Sequence, residues 1–280
     1  MRLATFNLLH GRSLSDGAVH AQRVADAVAD LDADILGLQE VDRAQPRSGL
    51  LDLTAIAAKA LDAPEHRFAA AVVGTPGETW QPWRSDDDND HPLYGIALVS
   101  RWPVLRWQVT ALPAAPIRSP VYVPRCGVRL LHDEPRVLLA AVVQAPTGPM
   151  TVATTHLSFV PGWNLRQLRV AIRALRHLPA PRVLLGDLNL PAAAARAFSG
   201  WQPLARRATY PSPKPRAQLD HVLADPRGAE ALGPVVQIRT PRVGVSDHRP
   251  LVVHLDPQVR PDAGTPAPSR PPGPTARPPW

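Results

Sequence analysis

A predicted buried strand that ends in two closely spaced polar residues constrains this sequence more than any other feature. Residues 182–189 read Arg-Val-Leu-Leu-Gly-Asp-Leu-Asn, and the apolar run between Pro181 and Gly186 has the length and β-branched content of a buried strand. Because side chains alternate along an extended chain, Asp187 and Asn189 are expected to point the same way. They follow the carboxyl end of the strand, which is where α/β sheets place ligands.

This pair of side chains has two interpretations. A carboxylate beside a carboxamide suits hydrolysis, because the acid takes a proton from water while the amide orients the nucleophile. Asp and Asn are also common where a strand simply ends in a turn. Recurrence of the pattern favours catalysis, since other apolar runs lead into polar residues that bind metals or transfer protons, namely Asn7, Glu40, His156, Asp220-His221 and Asp247-His248.

Glu40 is the strongest candidate for a metal ligand. The chain has only five glutamates, and this one ends a predicted buried strand, where an unpaired carboxylate is costly. Oxygen ligands without cysteine indicate a hard cation, Mg²⁺ or Mn²⁺, and the Asn7 amide oxygen and Asp247 would complete the site. The alternative is that Glu40 pairs with one of the many arginines.

His156 and His248 are the candidates for proton transfer, because histidine titrates near neutral pH. Asp220 is the carboxylate that would fix the tautomer of His248. A lone histidine on a strand is more often a core residue, and that interpretation fits His132, His177 and His254 better. A metal, an acid and a base without an activated Ser or Cys nucleophile indicate hydrolysis by metal-activated water.

Composition sets broad limits on the class of protein. An apolar fraction of 45% supports a sizeable core, and the net charge of +7 fits a polyanionic partner such as nucleic acid or anionic lipid. The charge is carried almost entirely by arginine, which a GC-rich coding bias explains equally well. Cys126 is the only cysteine, so an internal disulfide is excluded and a reducing compartment is favoured.

The sequence opens on a predicted strand without a signal peptide, and no apolar run approaches the roughly 20 residues that span a bilayer. We therefore expect a cytoplasmic protein, and a monomer. Predicted strands and helices alternate without an internal linker, which predicts one domain over residues 1–256. From residue 257 onward nine of 24 residues are proline, which predicts a disordered tail over residues 257–280.

A long polar loop over residues 74–92 interrupts the regular pattern. Its acidic run, residues 86–90, offers oxygen ligands for calcium but lacks the glycine and the later glutamate of the known calcium loop, which favours a solvated loop. Trp80 and Trp83 either stack on a substrate or cover the edge of the core.

The polar residues stand in an order that resembles the endonuclease/exonuclease/phosphatase superfamily. That group includes pancreatic-type deoxyribonuclease, abasic-site endonucleases, neutral sphingomyelinases and inositol polyphosphate 5-phosphatases. The resemblance covers roughly residues 1–256 and rests on six motifs in register: Thr5-Phe6-Asn7, Leu38-Gln39-Glu40-Val41, Thr155-His156-Leu157, Gly186-Asp187-Leu188-Asn189, Leu219-Asp220-His221 and Ser246-Asp247-His248-Arg249-Pro250.

The resemblance implies an α/β (α+β) four-layer sandwich, in which two packed mixed sheets carry helices outside, and Mg²⁺- or Mn²⁺-dependent cleavage of phosphate esters. It makes Glu40 the main metal ligand, with Asn7 and Asp247 near it. Asp187 and Asn189 would orient or deprotonate the nucleophilic water. His156, and His248 held by Asp220, would contact the scissile phosphate as acid or electrostatic stabiliser.

At some positions this sequence differs from particular members of the superfamily, and these differences limit the class of substrate. Abasic-site endonucleases carry an aspartate where this chain has Leu9, and they lack the histidine that corresponds to His156. Pancreatic-type deoxyribonucleases pair that histidine with a glutamate from the strand near Tyr94, and no such glutamate is evident here. Sphingomyelinase-like members usually carry a secretion signal or membrane segment.

Specificity is expected in three loops around the site, residues 74–92, 111–120 and 158–164. They hold aromatic and basic groups that would bind substrate: Trp80, Trp83, Arg118, Phe159 and Trp163. Stacking combined with phosphate neutralisation favours a nuclease acting on DNA or RNA, preferably single-stranded or nicked. The alternatives are a sphingomyelinase- or inositol-phosphatase-like enzyme and a catalytically inactive binding module.

Overall fold

The computed structural model describes residues 1–84, 91–116, 118–123 and 127–256. The acidic run 86–90, the tail 257–280 and the side chain of Arg118 lie outside the described part, so the predictions made for them, including the domain boundary, stay predictions. None of the helices in the described ranges has the length and apolarity that crossing a membrane requires.

The described residues form two large sheets, a two-stranded ribbon and five α-helices. The strands are β1 (Arg2–Asn7), β2 (Ile35–Arg43), β3 (Glu65–Gly74), β4 (Trp80–Pro82), β5 (Leu93–Ser100), β6 (Val104–Leu112), β7 (Arg118–Val123), β8 (Gly127–His132), β9 (Arg136–Ala145), β10 (Gly148–His156), β11 (Arg182–Asp187), β12 (Gln202–Pro203), β13 (Asp220–Ala224), β14 (Val235–Arg239) and β15 (Leu251–Leu255). The helices are α1 (Ala21–Ala29), α2 (Leu53–Ala60), α3 (Trp163–Leu175), α4 (Ala192–Ser199) and α5 (Gly228–Ala231), with short 3₁₀ turns at Leu9–Gly11 and Pro46–Ser48.

Both large sheets are mixed. The first has the order β14-β15-β1-β2-β5-β3-β4, and the second has the order β12-β13-β11-β10-β9-β6. Each contains one parallel pair among antiparallel neighbours, β1 with β2 and β10 with β11. Within the described ranges, strands β7 and β8 pair only with each other. The strand β4 lies within the predicted loop 74–92, which is therefore not an uninterrupted loop.

Three apolar clusters define four layers. One cluster fills the space between the two sheets, with Leu3 and Ile35 of the first sheet against Leu139, Val152 and Val183 of the second. A second cluster lies between the outer face of the first sheet and helices α1 and α2, and a third lies between the second sheet and helices α3 and α4. The predicted four-layer sandwich of two mixed sheets with helices outside is confirmed.

Candidate active site

The two parallel strand pairs bring the candidate residues to one end of the sandwich. In the first sheet Asn7 ends β1 beside β2, the strand that carries Glu40. In the second sheet His156 and Asp187 are register partners at the carboxyl ends of β10 and β11, and Asp187 faces Asp220 across the antiparallel pair β11 and β13. Carboxyl ends of parallel strands are where α/β sheets place ligands.

A β-bulge directs Glu40 into the site. The register between β2 and β5 shifts between Leu38 and Val41, and Glu40 adopts a left-handed φ of 52°. Such a bulge changes the direction of a side chain at a strand end. As a result the Glu40 carboxylate reaches the neighbouring strand, where its Oε1 accepts a hydrogen bond of 3.0 Å from the Asn7 amide nitrogen.

Asn7 joins the two halves of the site. Its buried Nδ2 donates to Glu40 Oε1 in the first sheet and to Asp187 Oδ2 in the second, both at 3.0 Å. Its Oδ1 accepts the backbone N–H of Leu9 at 3.0 Å. The structure therefore turns the amide nitrogen, rather than the oxygen expected to bind metal, toward the carboxylates.

Asp187 and Asn189 come together through a turn rather than along an extended strand. Strand β11 ends at Asp187, whose Oδ1 accepts the backbone N–H of Asn189 at 3.0 Å, and Asn189 has a φ of 49°. The Asn189 amide donates to the carbonyl of Leu157 at 2.9 Å and lies 3.3 Å from His156 Nε2. Both side chains approach His156 Nε2, as their expected common direction requires, but a turn brings them there and not the alternation of an extended strand.

His248 is held by a buried carboxylate and a serine. Its Nδ1 donates to Asp220 Oδ2 at 2.8 Å, and its Nε2 lies 3.7 Å from Asp187 Oδ2. The hydroxyl of Ser246 accepts the His248 backbone N–H at 3.0 Å and donates to the carbonyl of Asn7 at 2.6 Å. The Tyr210 ring covers His248, with centroids 4.9 Å apart.

The second histidine has a cationic neighbour. Nδ1 of His156 lies 3.2 Å from Nη1 of Arg136, and its Nε2 lies 3.6 Å from Asp187 Oδ2. Both His156 and Arg136 are buried. The two histidines therefore converge through Nε2 on one carboxylate oxygen of Asp187, but from different electrostatic surroundings.

These surroundings move the pKa values in opposite directions. Burial, with the charge of Asp220, raises the pKa of Asp187 to about 7. Burial opposes protonation of His248, but the Asp220 carboxylate outweighs it and raises the His248 pKa to about 10. Burial and the charge of Arg136 lower the pKa of His156 well below its usual value. At neutral pH the site thus combines a poised carboxylate, an imidazolium and a neutral imidazole.

The carboxylates fit a hard divalent cation on the Glu40 side of the site. Burial and the charge of Asp247 raise the pKa of Glu40, which a bound cation would reverse. Asp187, Asp220 and His248 also lie close enough to hold an ion, with ligand atoms within 4.8 Å of one another. His248 is cationic at neutral pH and repels a metal, so the oxygen donors of Glu40 and Asp247 are the better fit.

The aromatic residues expected to bind substrate differ in how much of the side chain is exposed. Trp80 packs against the cluster between the sheets, which favours the interpretation that it covers the core edge. Trp163 donates from Nε1 to the Pro113 carbonyl at 2.7 Å, under the guanidinium of Arg166. Trp83 and Phe159 are each 38% exposed, so both side chains are accessible to a ligand.

Sequence reasoning missed Arg136, Ser246 and Tyr210. Arg136 could have been found from the sequence, because an arginine directly before a run of apolar residues that must be buried is expected to be buried and paired. Ser246 stood within a quoted motif without a role, although serine is a usual residue for pinning a turn. Tyr210 had no signal, because its contact with His248 depends on how residues 209–217 fold back onto the site.

The four-layer α/β sandwich and its cluster of acidic and histidine side chains fit a hydrolase of phosphate esters. The model of the endonuclease/exonuclease/phosphatase family matches residues 4–248, and the chain belongs to that family, whose members hydrolyse phosphoesters and are generally dependent on divalent metals. Among curated proteins no sequence matches this chain significantly.

Solved structures share the fold at low sequence identity. An endonuclease/exonuclease/phosphatase from Beutenbergia cavernae is 23% identical with a TM-score of 0.64, over 90% of this chain and 70% of that one. A mannosyl-6-phosphatase of Bacteroides thetaiotaomicron is 19% identical with a TM-score of 0.58, over 91% and 98% of the two chains. Sphingomyelinase C from Streptomyces griseocarneus is 18% identical with a TM-score of 0.57, over 91% and 99%.

Proposed function

We propose that this protein is a Mg²⁺- or Mn²⁺-dependent phosphodiesterase that acts on nucleic acid. The observation that carries the chemistry is the environment of Asp187 Oδ2, which accepts from Asn7 at 3.0 Å and faces both histidines at 3.6 and 3.7 Å. A single carboxylate poised near pH 7 beside a charged imidazole supplies a base and an acid within one site.

The residues around Asp187 divide the steps of the proposed reaction among them. A divalent cation held by Glu40 and Asp247 would polarise the phosphoryl oxygen and activate water. Asp187 takes the proton of the attacking water, and Asn189 borders the same space. His248, kept protonated by Asp220, donates its proton to the leaving oxygen. Asn7 holds the carboxylates of the two sheets in place.

The nucleic-acid substrate rests on the positive charge of +7 and on the exposed aromatic groups. Neutralisation of successive phosphates favours a polyanion, and Trp83 and Tyr210, 38% and 36% exposed, are available to stack on bases. Sugar phosphates and sphingomyelin are the alternative substrates, and a monomeric, cytoplasmic protein remains our expectation.

The full-length protein should hydrolyse bis-nitrophenyl phosphate with Mg²⁺ or Mn²⁺ and lose that activity with a chelator. Glu40→Gln should lower kcat at least about 100-fold, because the cation loses its main ligand. Glu65→Gln is the matched control, since Glu65 lies on β3 at the level of Ser100 and Ile35, the opposite end of the sheet, and should leave kcat unchanged.

The substrate is decided by a panel of DNA, RNA, sphingomyelin, mannose 6-phosphate and inositol phosphates assayed side by side. Cleavage of nucleic acid should fall steeply with salt, because phosphate contacts are screened. A preference for lipid, or turnover of monoesters alone, would refute the proposal that the substrate is nucleic acid. It would not affect the assignment of the catalytic residues. Full activity of Glu40→Gln, or binding of no divalent metal by a folded protein, would refute the metal site.

A further inference from the structure

We propose that Arg136 is a positioning residue that fixes His156 as the Nε2–H tautomer, so that the ring offers an uncharged hydrogen-bond donor to the substrate phosphate. The inference deepens the phosphoesterase function proposed above and rests on it for the identity of the acceptor. The arrangement of the ring itself does not depend on the substrate.

The direction of the hydrogen bond follows from the chemistry of arginine. Arg136 Nη1 lies 3.2 Å from His156 Nδ1, and a guanidinium has five N–H donors and no acceptor. A proton on Nδ1 would therefore set two donors against each other in a buried place. Nδ1 must carry the lone pair, and the single proton of the neutral ring then lies on Nε2.

A second contact competes for the same ring and is weaker. The Asn189 amide nitrogen lies 3.3 Å from His156 Nε2, and it would donate there only if Nε2 carried the lone pair. That amide already donates to the Leu157 carbonyl at 2.9 Å, whereas Arg136 is charged and cannot reverse its role. One neutral ring cannot accept at both nitrogens, so the Arg136 contact decides the tautomer.

The guanidinium is held in place from its other side. Arg136 is 5% exposed, and its Nη2 lies 3.5 Å from Glu134 Oε2 and 4.0 Å from Asp133 Oδ1. Asp133 in turn accepts the backbone N–H of Ala115 at 3.0 Å. These acidic neighbours retain a buried cation beside the histidine and restrict its geometry.

The consequence is a division of roles between the two histidines. A carboxylate at Nδ1, such as Asp220 at His248, stabilises an imidazolium that can donate a proton. A guanidinium at Nδ1 does the opposite and keeps His156 neutral. His156 therefore stabilises charge on a phosphate oxygen through Nε2–H, and proton donation is left to His248.

The tautomer is read directly by ¹⁵N NMR of histidine-labelled full-length protein, with no substrate present. The resonances that vanish in His156→Gln identify the ring. We expect an unprotonated Nδ1 and a protonated Nε2 in the wild type. In Arg136→Met the proton should be shared between the two nitrogens or move to Nδ1. Arg136→Lys retains a charged donor and should restore the Nε2–H form at least in part.

Kinetics on the phosphoester that the wild type turns over supply the second readout. Arg136→Met should lower kcat by about 10- to 100-fold with little change in KM, because the ring, and not the substrate-binding surface, is disturbed. Arg136→Lys should recover part of the lost kcat. If Arg136 instead bound substrate, KM would rise while the ¹⁵N spectrum stayed the same.

Two results would overturn the inference. One is an Arg136→Met protein with a raised KM and an unchanged ¹⁵N spectrum, and the other is a wild-type His156 ring protonated at Nδ1. Should Arg136→Met fail to fold, the wild-type and Arg136→Lys spectra still decide the tautomer. The proposed function fails separately, if the wild type shows the Nε2–H ring but hydrolyses no phosphoester.

Discussion

At the scale of single residues, the site works through two neighbouring ionisable groups whose pKa values are both raised, so that neutral pH lies at the lower value and below the higher one. Asp187 has a pKa of about 7 and His248 a pKa of about 10, so the carboxyl group loses its proton before the imidazolium does. A water-activating base and a proton-donating acid then coexist between these values. The charge of Asp220, within hydrogen-bonding distance of His248, contributes to both shifts.

The Asp220–His248 pair should make the free energy of unfolding depend on pH. The folded-state pKa of His248 is raised from 6.5 to about 10, so the stabilisation is fully present below pH 6.5 and is lost as the pH rises through 10. Asp220→Asn should cost about 3–5 kcal/mol at pH 6, because it leaves a buried charge unpaired. The cost should shrink toward pH 10 in urea unfolding. In a His248→Gln background most of this pH dependence should disappear, and what remains comes from Asp187, whose pKa the Asp220 charge also raises. A cost that grows with pH would contradict the assignment.

At the scale of elements, the side chain of Ser246 and several backbone hydrogen bonds position the residues between β14 and β15. Ser246 has a left-handed φ of 72°, and its hydroxyl connects the backbone of β1 to the backbone of His248. A backbone bond from Ser212 to Asp247, 2.6 Å long, fixes the same segment from another direction. His248 and Asp247 are thereby presented to the site without lying on a strand.

Ser246→Ala should lower kcat in addition to the free energy of unfolding. Loss of the two hydrogen bonds should cost about 1–3 kcal/mol of unfolding free energy, and the displacement of His248 should lower kcat about tenfold or more. Ser199→Ala is the matched control, since its hydroxyl also accepts a backbone N–H, from Trp201 at 3.0 Å, at the end of α4. The control should lose stability with unchanged kcat. Equal kcat in both variants would show that Ser246 does not position His248.

Strands were predictable at this scale because long apolar runs have few other ways to be buried. The family resemblance added the order of the site residues and the four layers. Irregular backbone was not predictable: the bulge at Glu40 depends on the register with β5, and the turn at Asn189 on the side chain of Asp187. The Arg136–His156 contact joins residues 20 positions apart on antiparallel strands, so no local sequence pattern predicts it.

At the scale of the whole molecule, the site exists only where the two sheets meet. Asn7 and Glu40 come from the first sheet, and His156 and Asp187 from the second, so catalysis requires a fixed distance between them. That distance is set near β2 by a buried polar contact, in which Gln39 Nε2 donates to Thr154 Oγ1 of the opposite sheet at 2.9 Å. Gly37, two residues earlier on β2, leaves the room for this contact.

Gly37→Ala should therefore disturb stability and activity together. A Cβ at residue 37 would lie 2.6 Å from Thr154 Oγ1 and 3.2 Å from Leu185 Cβ, so one sheet must shift and the bond from Gln39 is strained. We expect a loss of about 1–3 kcal/mol in urea unfolding and a lower kcat, because the two halves of the site move apart.

Gly244→Ala is the matched control for that substitution, since no atom lies within 4 Å of a Cβ there. It should change the unfolding free energy by less than about 0.5 kcal/mol. Combining Gly37→Ala with Thr154→Ala should cost less than the sum of the single changes, because the deleted hydroxyl is the atom that the new methyl group meets. Additive costs, or a Gly37→Ala protein as stable as the wild type, would show that the sheets are not in contact at this point and that something else sets the spacing of the site.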